Sequence, residues 1–227
     1  MAAKTYEAGY SKYYGDRLKN VSKSTSEEEI KQLYRDWASS YDKQVLSTRC
    51  VVYRAMCQYL DDSIKQDCED KTKNEWKIIE VGAGTGLLGL ELHELGYNVL
   101  DALDISAEML NEAKKKNVYK KFICASLSDQ RIPEIDTGEY DALICVGTLF
   151  RGHARSSAFL EMIRMVRIAG LICFDIRDTE LGDYQGMMLE LEKDGRWIKV
   201  SEKKIPLYEN DDLPKDILGF LYRVLKN

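Results

Sequence analysis

The stretch KIIEVGAGTGLLGLEL, residues 77–92, decides the fold. Its mostly apolar run Ile78–Val81 has the length of a β-strand and leads into the glycine triplet Gly82, Gly84 and Gly86. The leucines that follow recur at helical spacing, so the stretch predicts a strand, a tight turn and a helix. Glycine suits such a turn because the backbone takes positive φ and because a ligand can lie directly against it. Unpaired N–H groups at the start of the helix would face that ligand.

Two kinds of ligand compete for this turn. Residues 84–89 satisfy the pattern G-x-G-x-x-G of dinucleotide-binding enzymes, but in that pattern the first glycine follows directly on the strand. In this chain that glycine is Gly82, and a pattern begun there has Leu87 where its third glycine should be. Glu80, at the end of the strand, would repel a pyrophosphate and attract a cation. The spacing therefore favours a cationic cofactor over NAD.

A second segment supports a ligand site. A glycine-rich turn that binds nothing would explain the triplet alone equally well. However, the strand predicted over residues 97–104 ends at Asp104, 18 residues after Gly86. A carboxylate about 20 residues beyond such glycines can hold both hydroxyls of a ribose. Ser106 then predicts the N-cap of the next helix.

These motifs resemble those of the class I methyltransferases that bind S-adenosylmethionine. The pattern E-x-G-x-G-x-G, residues 80–86, is similar to the family's first motif, and DISAEML, residues 104–110, to its second. The resemblance implies an α/β, Rossmann-like class I methyltransferase fold, with a mostly parallel seven-stranded sheet, an antiparallel final strand and helices on both faces. It also implies S-adenosyl-L-methionine as cofactor and S-adenosyl-L-homocysteine as product.

The same resemblance assigns roles by position. Glu80 would lie near the cationic methionyl end of the cofactor, Asp104 at the ribose, and Ile105 and Met109 on either side of adenine. The family often has an acidic residue after the third strand, where this chain offers Ser126 or backbone to the adenine edge. The residues placed at the cofactor are Trp37, Tyr41, Glu80, Gly82, Ala83, Gly84, Gly86, Asp104, Ile105, Met109, Ser126, Leu127 and Val146.

The N-terminal region predicts a tail and a lid. Residues 1–25 are polar without periodicity, and we expect them to be mobile. Ser26 and Glu29 have the spacing of a capping box, so a helix should begin there and end at WASSYD, residues 37–42. This pattern resembles the segment that many small-molecule methyltransferases fold over the cofactor, which predicts a lid helix over 26–45. A cation–π contact with the sulfonium would contribute ~0.5–2 kcal/mol, but Trp37 and Tyr41 serve equally well as packing residues.

The remaining pattern predicts one domain, residues 26–227. A helix over 48–60 should precede the first strand, and residues 61–76 should connect the two. Strand and helix patterns then alternate, as in a parallel sheet, before an antiparallel pair closes it. The predicted segments are strands at 122–125, 140–146 and 171–175, a helix at 157–168, and the final strands at 197–205 and 219–225.

Composition limits the function classes. The formal charge of −5 argues against a nucleic-acid partner, and no apolar run approaches the length of a membrane span. Six cysteines without a C-x-x-C pair, together with only two histidines, argue against a metal site. The N-terminus has no apolar signal region, so the sequence predicts a cytoplasmic protein with reduced thiols, and we expect a monomer.

The segment after the fourth strand bears on the acceptor. Enzymes that methylate nucleobase or glutamine nitrogens carry an Asn or Asp, two prolines and an aromatic residue there, whereas this chain has CVGT at 145–148. Base flipping is therefore not supported. His153 is a candidate general base, although a loop histidine without a catalytic role is the commoner explanation. Asp175 and Arg177 are candidate substrate contacts.

We therefore expect a methyltransferase that acts on a small-molecule or protein acceptor. Three segments of the chain are similar to methyltransferase-like proteins of the Williams-Beuren syndrome region and their invertebrate relatives. They are LYRDWASSYD, NVYKKF and LICVGTL, at residues 33–42, 117–122 and 143–149. One alternative is a non-catalytic regulatory module that binds S-adenosylmethionine or S-adenosylhomocysteine. The other is an NAD-dependent oxidoreductase, which the glycine spacing and Glu80 disfavour.

Overall fold

The computed structural model describes residues 17–66 and 71–227, and these form a seven-stranded sheet with helices on both faces. The strands are β1 Lys77–Val81, β2 Val99–Asp104, β3 Lys121–Cys124, β4 Tyr140–Cys145, β5 Val166–Ile176, β6 Trp197–Pro206 and β7 Asp216–Val224. Their order across the sheet is β3-β2-β1-β4-β5-β7-β6. Strands β1 to β5 pair in parallel, and β7 is antiparallel to both β5 and β6. The predicted fold class is confirmed.

Helices cover the sheet on two sides. They are α1 Glu27–Ser47, α2 Val52–Gln66, α3 Leu87–Glu94, α4 Ala107–Lys114, α5 Phe159–Met165 and α6 Gln185–Lys193. Alternate residues of β1 enter different cores: Ile78 packs with residues of α2 and α3, whereas Ile79 and Val81 pack with residues of α5 and α6. A strand buried on both faces needs apolar residues at nearly every position. Glu80 is an exception, because it is an acidic residue buried in β1.

Several predicted boundaries are wrong by a few residues. Helix α1 begins at the predicted capping box, where the Ser26 hydroxyl accepts a hydrogen bond from the Glu29 N–H and the Glu29 carboxylate accepts one from the Ser26 N–H. It continues to Ser47, past the predicted end, because Val45 extends its buried face. Helix α2 starts later than predicted and runs into the expected surface connection. Helix α5 is shorter than predicted, because Val166 already pairs with Tyr140 of β4.

The predicted mobile tail lies only partly within the described residues. Residues 1–16 are outside them. Residues 17–25 form turns, and Val21 packs so closely on Gly152 that a Cβ added there would lie 2.5 Å from its Cγ1 atom. The Lys23 ammonium lies 2.6 Å from the Asp183 carboxylate. The mobility of this segment stays a prediction.

Candidate cofactor and acceptor site

A cavity of about 440 Å³ lies at the carboxyl ends of β1, β2 and β4, with helix α1 forming part of its wall. Ligands of open α/β sheets bind at this edge, in the crevice where the strand order reverses, here between β1 and β4. Residues predicted from the sequence that line the cavity are Tyr41, Glu80, Gly82, Ala83, Gly84, Asp104, Ile105, Met109, Ser126, Leu127, Val146 and His153. Two predicted residues, Trp37 and Gly86, do not line it.

The glycine turn is shaped by positive φ angles. Gly82, Gly84 and Gly86 have φ of +73°, +53° and +83°. The N–H groups of Gly82 and Ala83 donate to the carbonyl of Leu103 at 2.8 and 3.0 Å, which ties the turn to the end of β2. A Cβ added at Gly84 would have no protein atom within 4 Å, so it would project into open space at the cavity. Gly86 is the N-cap of α3 and does not line the cavity, and its contact with the cofactor stays a prediction.

Asp104 joins the turn to the start of α4. One carboxylate oxygen accepts the Gly84 N–H at 2.7 Å and the other accepts the Ser106 N–H at 2.8 Å. Burial raises the pKa of this carboxyl group, and the backbone N–H groups oppose that effect. Each carboxylate oxygen has more than one lone pair, so both can still accept a hydroxyl proton. The group is therefore placed where the sequence predicts a ribose ligand.

Glu80 has a partner that the sequence analysis missed. Its carboxyl group accepts a hydrogen bond of 2.5 Å from the Tyr119 hydroxyl. Burial, with a smaller contribution from Asp104, raises the pKa of Glu80 to about 8. Tyr119 reaches it across α3, where a Cβ added at Gly89 would lie 2.1 Å from the Tyr119 oxygen. Gly89, which completes the apparent dinucleotide pattern, therefore makes room for a tyrosine.

The aromatic residues of α1 divide into two groups. Tyr34 and Tyr41 line the cavity, whereas Trp37 is 2% exposed and donates from its ring nitrogen to the Gln44 side chain. The Trp37 ring lies 4.9 Å from that of Tyr41 and 6.0 Å from that of Tyr34, between centroids. The Trp37 ring packs beside both tyrosines, because positions 34, 37 and 41 share one face of the helix, and its contact with the cofactor stays a prediction.

Polar contacts hold α1 against the glycine turn and α4. The Asp42 carboxylate accepts a hydrogen bond from the Thr85 hydroxyl and forms an ion pair with Lys116, whose nitrogen lies 2.7 Å away. Arg35 and Glu108 form a second ion pair at 3.1 Å. These contacts explain how a helix with a narrow apolar face is retained over the cavity.

His153 and Tyr34 form a hydrogen-bonded pair at the cavity. The Tyr34 oxygen lies 2.7 Å from Nε2, and Nδ1 lies 3.2 Å from the carbonyl of Arg151. A carbonyl can only accept, so Nδ1 carries the proton. Burial lowers the pKa of His153 to about 4, so the neutral ring accepts the Tyr34 proton at Nε2. Phe150 stacks on the imidazole at 3.7 Å between ring centroids.

Asp175 and Arg177 lie behind this pair and do not line the cavity. The Asp175 carboxyl group accepts the Gly147 N–H at 2.8 Å, and burial raises its pKa to about 6. The Arg177 guanidinium lies 5.1 Å from the centre of the Phe150 ring. Their observed contacts shape the loop after β4.

The side chains and helices of residues 17–66 and 71–227 bear on two requirements, that of a metal site and that of a membrane span. No group of three or more His, Cys, Asp and Glu side chains is placed to hold a metal ion there. Over the same residues, no helix combines the length and the apolar character that crossing a membrane requires.

Comparison with known proteins extends these observations. Residues 78–170 match a family model described as a methyltransferase domain. Methyltransferase-like protein 27 of Homo sapiens is 28% identical over 173 residues, covering 72% of this chain and 66% of that protein. Glycine/sarcosine N-methyltransferase of Halorhodospira halochloris is 31% identical over 118 residues, covering 49% of this chain and 44% of that protein. The chain thus spans just under two thirds of the first relative and less than half of the second.

A solved structure shows the same fold. The 1,6-didemethyltoxoflavin-N1-methyltransferase of Burkholderia thailandensis, with bound 1,6-didemethyltoxoflavin and S-adenosylhomocysteine, superposes with a TM-score of 0.61 at 15% identity. The superposition covers 89% of this chain and 92% of that one. The chain therefore has the fold of that methyltransferase, and its residues 78–170 match the methyltransferase-domain family.

Proposed function

We propose that the protein is an enzyme that transfers a methyl group from S-adenosylmethionine to a small-molecule or protein acceptor. The observation that carries this proposal is the convergence of the glycine turn, Asp104 and the α1 tyrosines on one cavity. A bound S-adenosylmethionine supplies a methyl group that is already activated as part of a sulfonium. The protein then has to bind the acceptor, align it and exclude water.

The residues present fit this cofactor. Gly84 leaves open space beside the backbone, Asp104 has lone pairs to spare for ribose hydroxyls, and Ile105 and Met109 provide an apolar wall suited to adenine. Tyr41, which also lines the cavity, offers an aromatic face suited to a cation. The other residues proposed to contact the cofactor are Glu80, Gly82, Ala83, Ser126, Leu127 and Val146.

Two relatives favour a small-molecule acceptor. By their names, one acts on glycine and sarcosine and the other on 1,6-didemethyltoxoflavin. The acidic net charge is consistent with an acceptor other than nucleic acid. We further propose a cytoplasmic monomer, with helix α1 as a lid over the cavity. Size-exclusion chromatography coupled to light scattering and a tagged-protein localisation would test the first two points.

The competing functions make different predictions for ligand binding. An NAD-dependent oxidoreductase is disfavoured because Gly89, the last glycine of the apparent dinucleotide pattern, makes room for Tyr119. A non-catalytic module would bind the cofactor without transferring its methyl group. We expect S-adenosylhomocysteine to bind in a calorimetric titration and NAD not to bind. A labelled-methyl screen over cell-extract fractions should then give a labelled product, and its absence with intact cofactor binding would favour the module.

A further inference from the structure

One cation at the cavity lacks a partner. Arg155 is the only lysine or arginine among the described residues that line it. The guanidinium forms no hydrogen bond or ion pair with any residue in the described part of the chain. It also remains exposed, which places it at the rim of the cavity. A planar guanidinium can bind a carboxylate through two parallel hydrogen bonds, so an unpaired one at a cavity is suited to an anionic ligand.

The acidic residues of the cavity do not compete for Arg155, because each is hydrogen-bonded elsewhere. The Glu27 carboxylate pairs with Lys31 at 2.7 Å, and the Asp129 carboxylate accepts from Gln130 at 3.1 Å. Glu80 and Asp104 are engaged by a tyrosine and by backbone N–H groups. Among the described residues that line the cavity, Arg155 is therefore a cation that no carboxylate neutralises.

The Tyr34 oxygen is a hydrogen-bond acceptor at the cavity, and it is bound by His153, which lies two residues before Arg155 in the chain. Tyr34 donates its proton to the neutral His153 ring, so the lone pairs of its oxygen remain available within the cavity. Two residues of extended chain span at most about 7 Å, which bounds the separation of the His153 and Arg155 backbones. Both groups line the same cavity, and the exposed, unpaired Arg155 side chain is free to turn toward a small molecule bound at the Tyr34 oxygen. The cavity volume of about 440 Å³ must also hold the cofactor, which favours such a size.

We propose that the methyl acceptor is a small amine that carries a carboxylate, with Arg155 binding the carboxylate and the Tyr34 oxygen accepting a hydrogen bond from the amine nitrogen. This inference rests on the proposed function and names its substrate class. His153 is a positioning residue in this arrangement, because it fixes the direction of the Tyr34 hydroxyl. The amino-acid end of the cofactor is assigned to the glycine turn and Glu80, which leaves Arg155 for the acceptor.

The chemistry explains why an amine suits this site. The lone pair of a neutral amine forms the new N–C bond while the C–S bond breaks and its electron pair stays on sulfur. The amino acid first loses one ammonium proton to water to give this neutral amine. The methylated nitrogen then becomes an ammonium and keeps its remaining protons, so no base acts during the transfer step itself. An alcohol would have to lose its proton during transfer, and the neutral His153 ring, which is a weak base, is already occupied by Tyr34. The group that Tyr34 orients is therefore an N–H bond.

The experiment uses matched acceptors. Labelled S-adenosylmethionine is incubated with the protein and with amino acids of two to four carbons, the corresponding amides, and the corresponding hydroxy acids. We expect label on the amino acids, at least about tenfold slower transfer to the amides, which lack the carboxylate, and none to the hydroxy acids. Equal transfer to acids and amides, or labelling of the hydroxy acids, would overturn the inference.

Variants identify the residues. Arg155→Met should abolish the preference for acids over amides, whereas Tyr34→Phe should lower kcat for both, and His153→Asn should do the same to a smaller extent. Arg131→Met and Tyr59→Phe, which alter the same residue types outside the cavity, should behave like the parent. Melting curves show whether each variant folds.

Binding of S-adenosylhomocysteine distinguishes a failure of the acceptor inference from a failure of the proposed methyltransferase function. S-adenosylhomocysteine should bind the parent and Arg155→Met within about twofold of each other. If Arg155→Met weakens that binding as much as it weakens transfer, Arg155 holds the carboxylate of the cofactor and the inference is wrong. A parent that binds S-adenosylhomocysteine but labels no amino acid also overturns the inference while the proposed function stands. A parent that does not bind S-adenosylhomocysteine contradicts the proposed function itself.

Discussion

Replacing Gly89 with alanine tests how Tyr119 is packed against Glu80. An alanine in an exposed helix interior normally stabilises a protein by up to about 1 kcal/mol relative to glycine. At Gly89 the added Cβ would lie 2.1 Å from the Tyr119 oxygen and 2.3 Å from the ring carbon that bears it. These separations are too short for any real contact, so Tyr119 must move and its hydrogen bond to Glu80 must break or lengthen.

The expected free-energy change combines three contributions. Overpacking a buried site costs about 1–3 kcal/mol, and loss of a hydrogen bond in the core costs about 1–3 kcal/mol more. The helix propensity of alanine offsets about 1 kcal/mol of this cost. We therefore expect Gly89→Ala to lower the free energy of unfolding by roughly 1–5 kcal/mol. The change has the opposite sign to the one that helix propensity alone predicts.

Urea denaturation monitored by circular dichroism measures this change. Gly186→Ala is the matched control, since it lies in helix α6 and an added Cβ there has no neighbour within 4 Å. The control should be neutral or slightly stabilising. If Gly89→Ala is stabilised to the same degree as Gly186→Ala, Tyr119 does not occupy the space above α3, and the structural reason for Gly89 is refuted.

Four further predictions concern the cavity. Asp104→Ala should weaken binding of S-adenosylhomocysteine by at least about tenfold in calorimetry, because each hydrogen bond to a charged acceptor contributes about 1.5–3 kcal/mol; unchanged affinity would exclude it as the ribose ligand. Gly84→Val should abolish that binding and also lower the melting temperature of the free protein, because a β-branched residue resists a φ of +53°, and retained binding would mean that the turn only connects two elements. The pKa of Glu80 is raised to about 8, so the stabilisation from its neutral form is fully present below its ordinary pKa of about 4.3 and is lost as the pH rises toward 8. The free energy of unfolding should therefore fall with pH between these two values in the parent and lose this dependence in Glu80→Gln, and an unchanged pH dependence in the variant would contradict the assignment. Hydrogen exchange of α1 should slow when S-adenosylhomocysteine binds while that of α2 stays unchanged, and equal protection of α1 with and without ligand would argue against a lid.

The sequence was sufficient to predict the floor of the cavity because short local patterns determine it. Each local pattern occupies only a few consecutive residues: the glycine spacing at 82–86, the strand ends at Glu80 and Asp104, and the capping residues Ser26 and Ser106. Each of these patterns places a backbone feature, and the structure has it where expected.

The wall formed by distant segments was harder to predict. Tyr34, Tyr119 and Arg155 gave no local signal, because their importance depends on contacts with residues 39 or more positions away or on a cavity that exists only in the folded chain. Trp37 shows what spacing alone leaves open. The sequence allows both a ligand contact and packing, and only the placement of α1 on the domain puts Tyr34 and Tyr41 at the cavity while Trp37 is buried beside them.

The position of α1 has a consequence for how this domain can diversify. The matched domain, residues 78–170, contains the glycine turn and Asp104, whereas Tyr34 and Tyr41 lie well before it in the chain. Most contacts proposed for the cofactor can therefore stay constant while substitutions in one exchangeable helix change the shape and polarity of the acceptor end. The proposed acceptor contacts are divided between Tyr34 on this helix and Arg155 inside the matched domain, so a substitution in α1 can change one side of the acceptor site without altering Gly84 or Asp104.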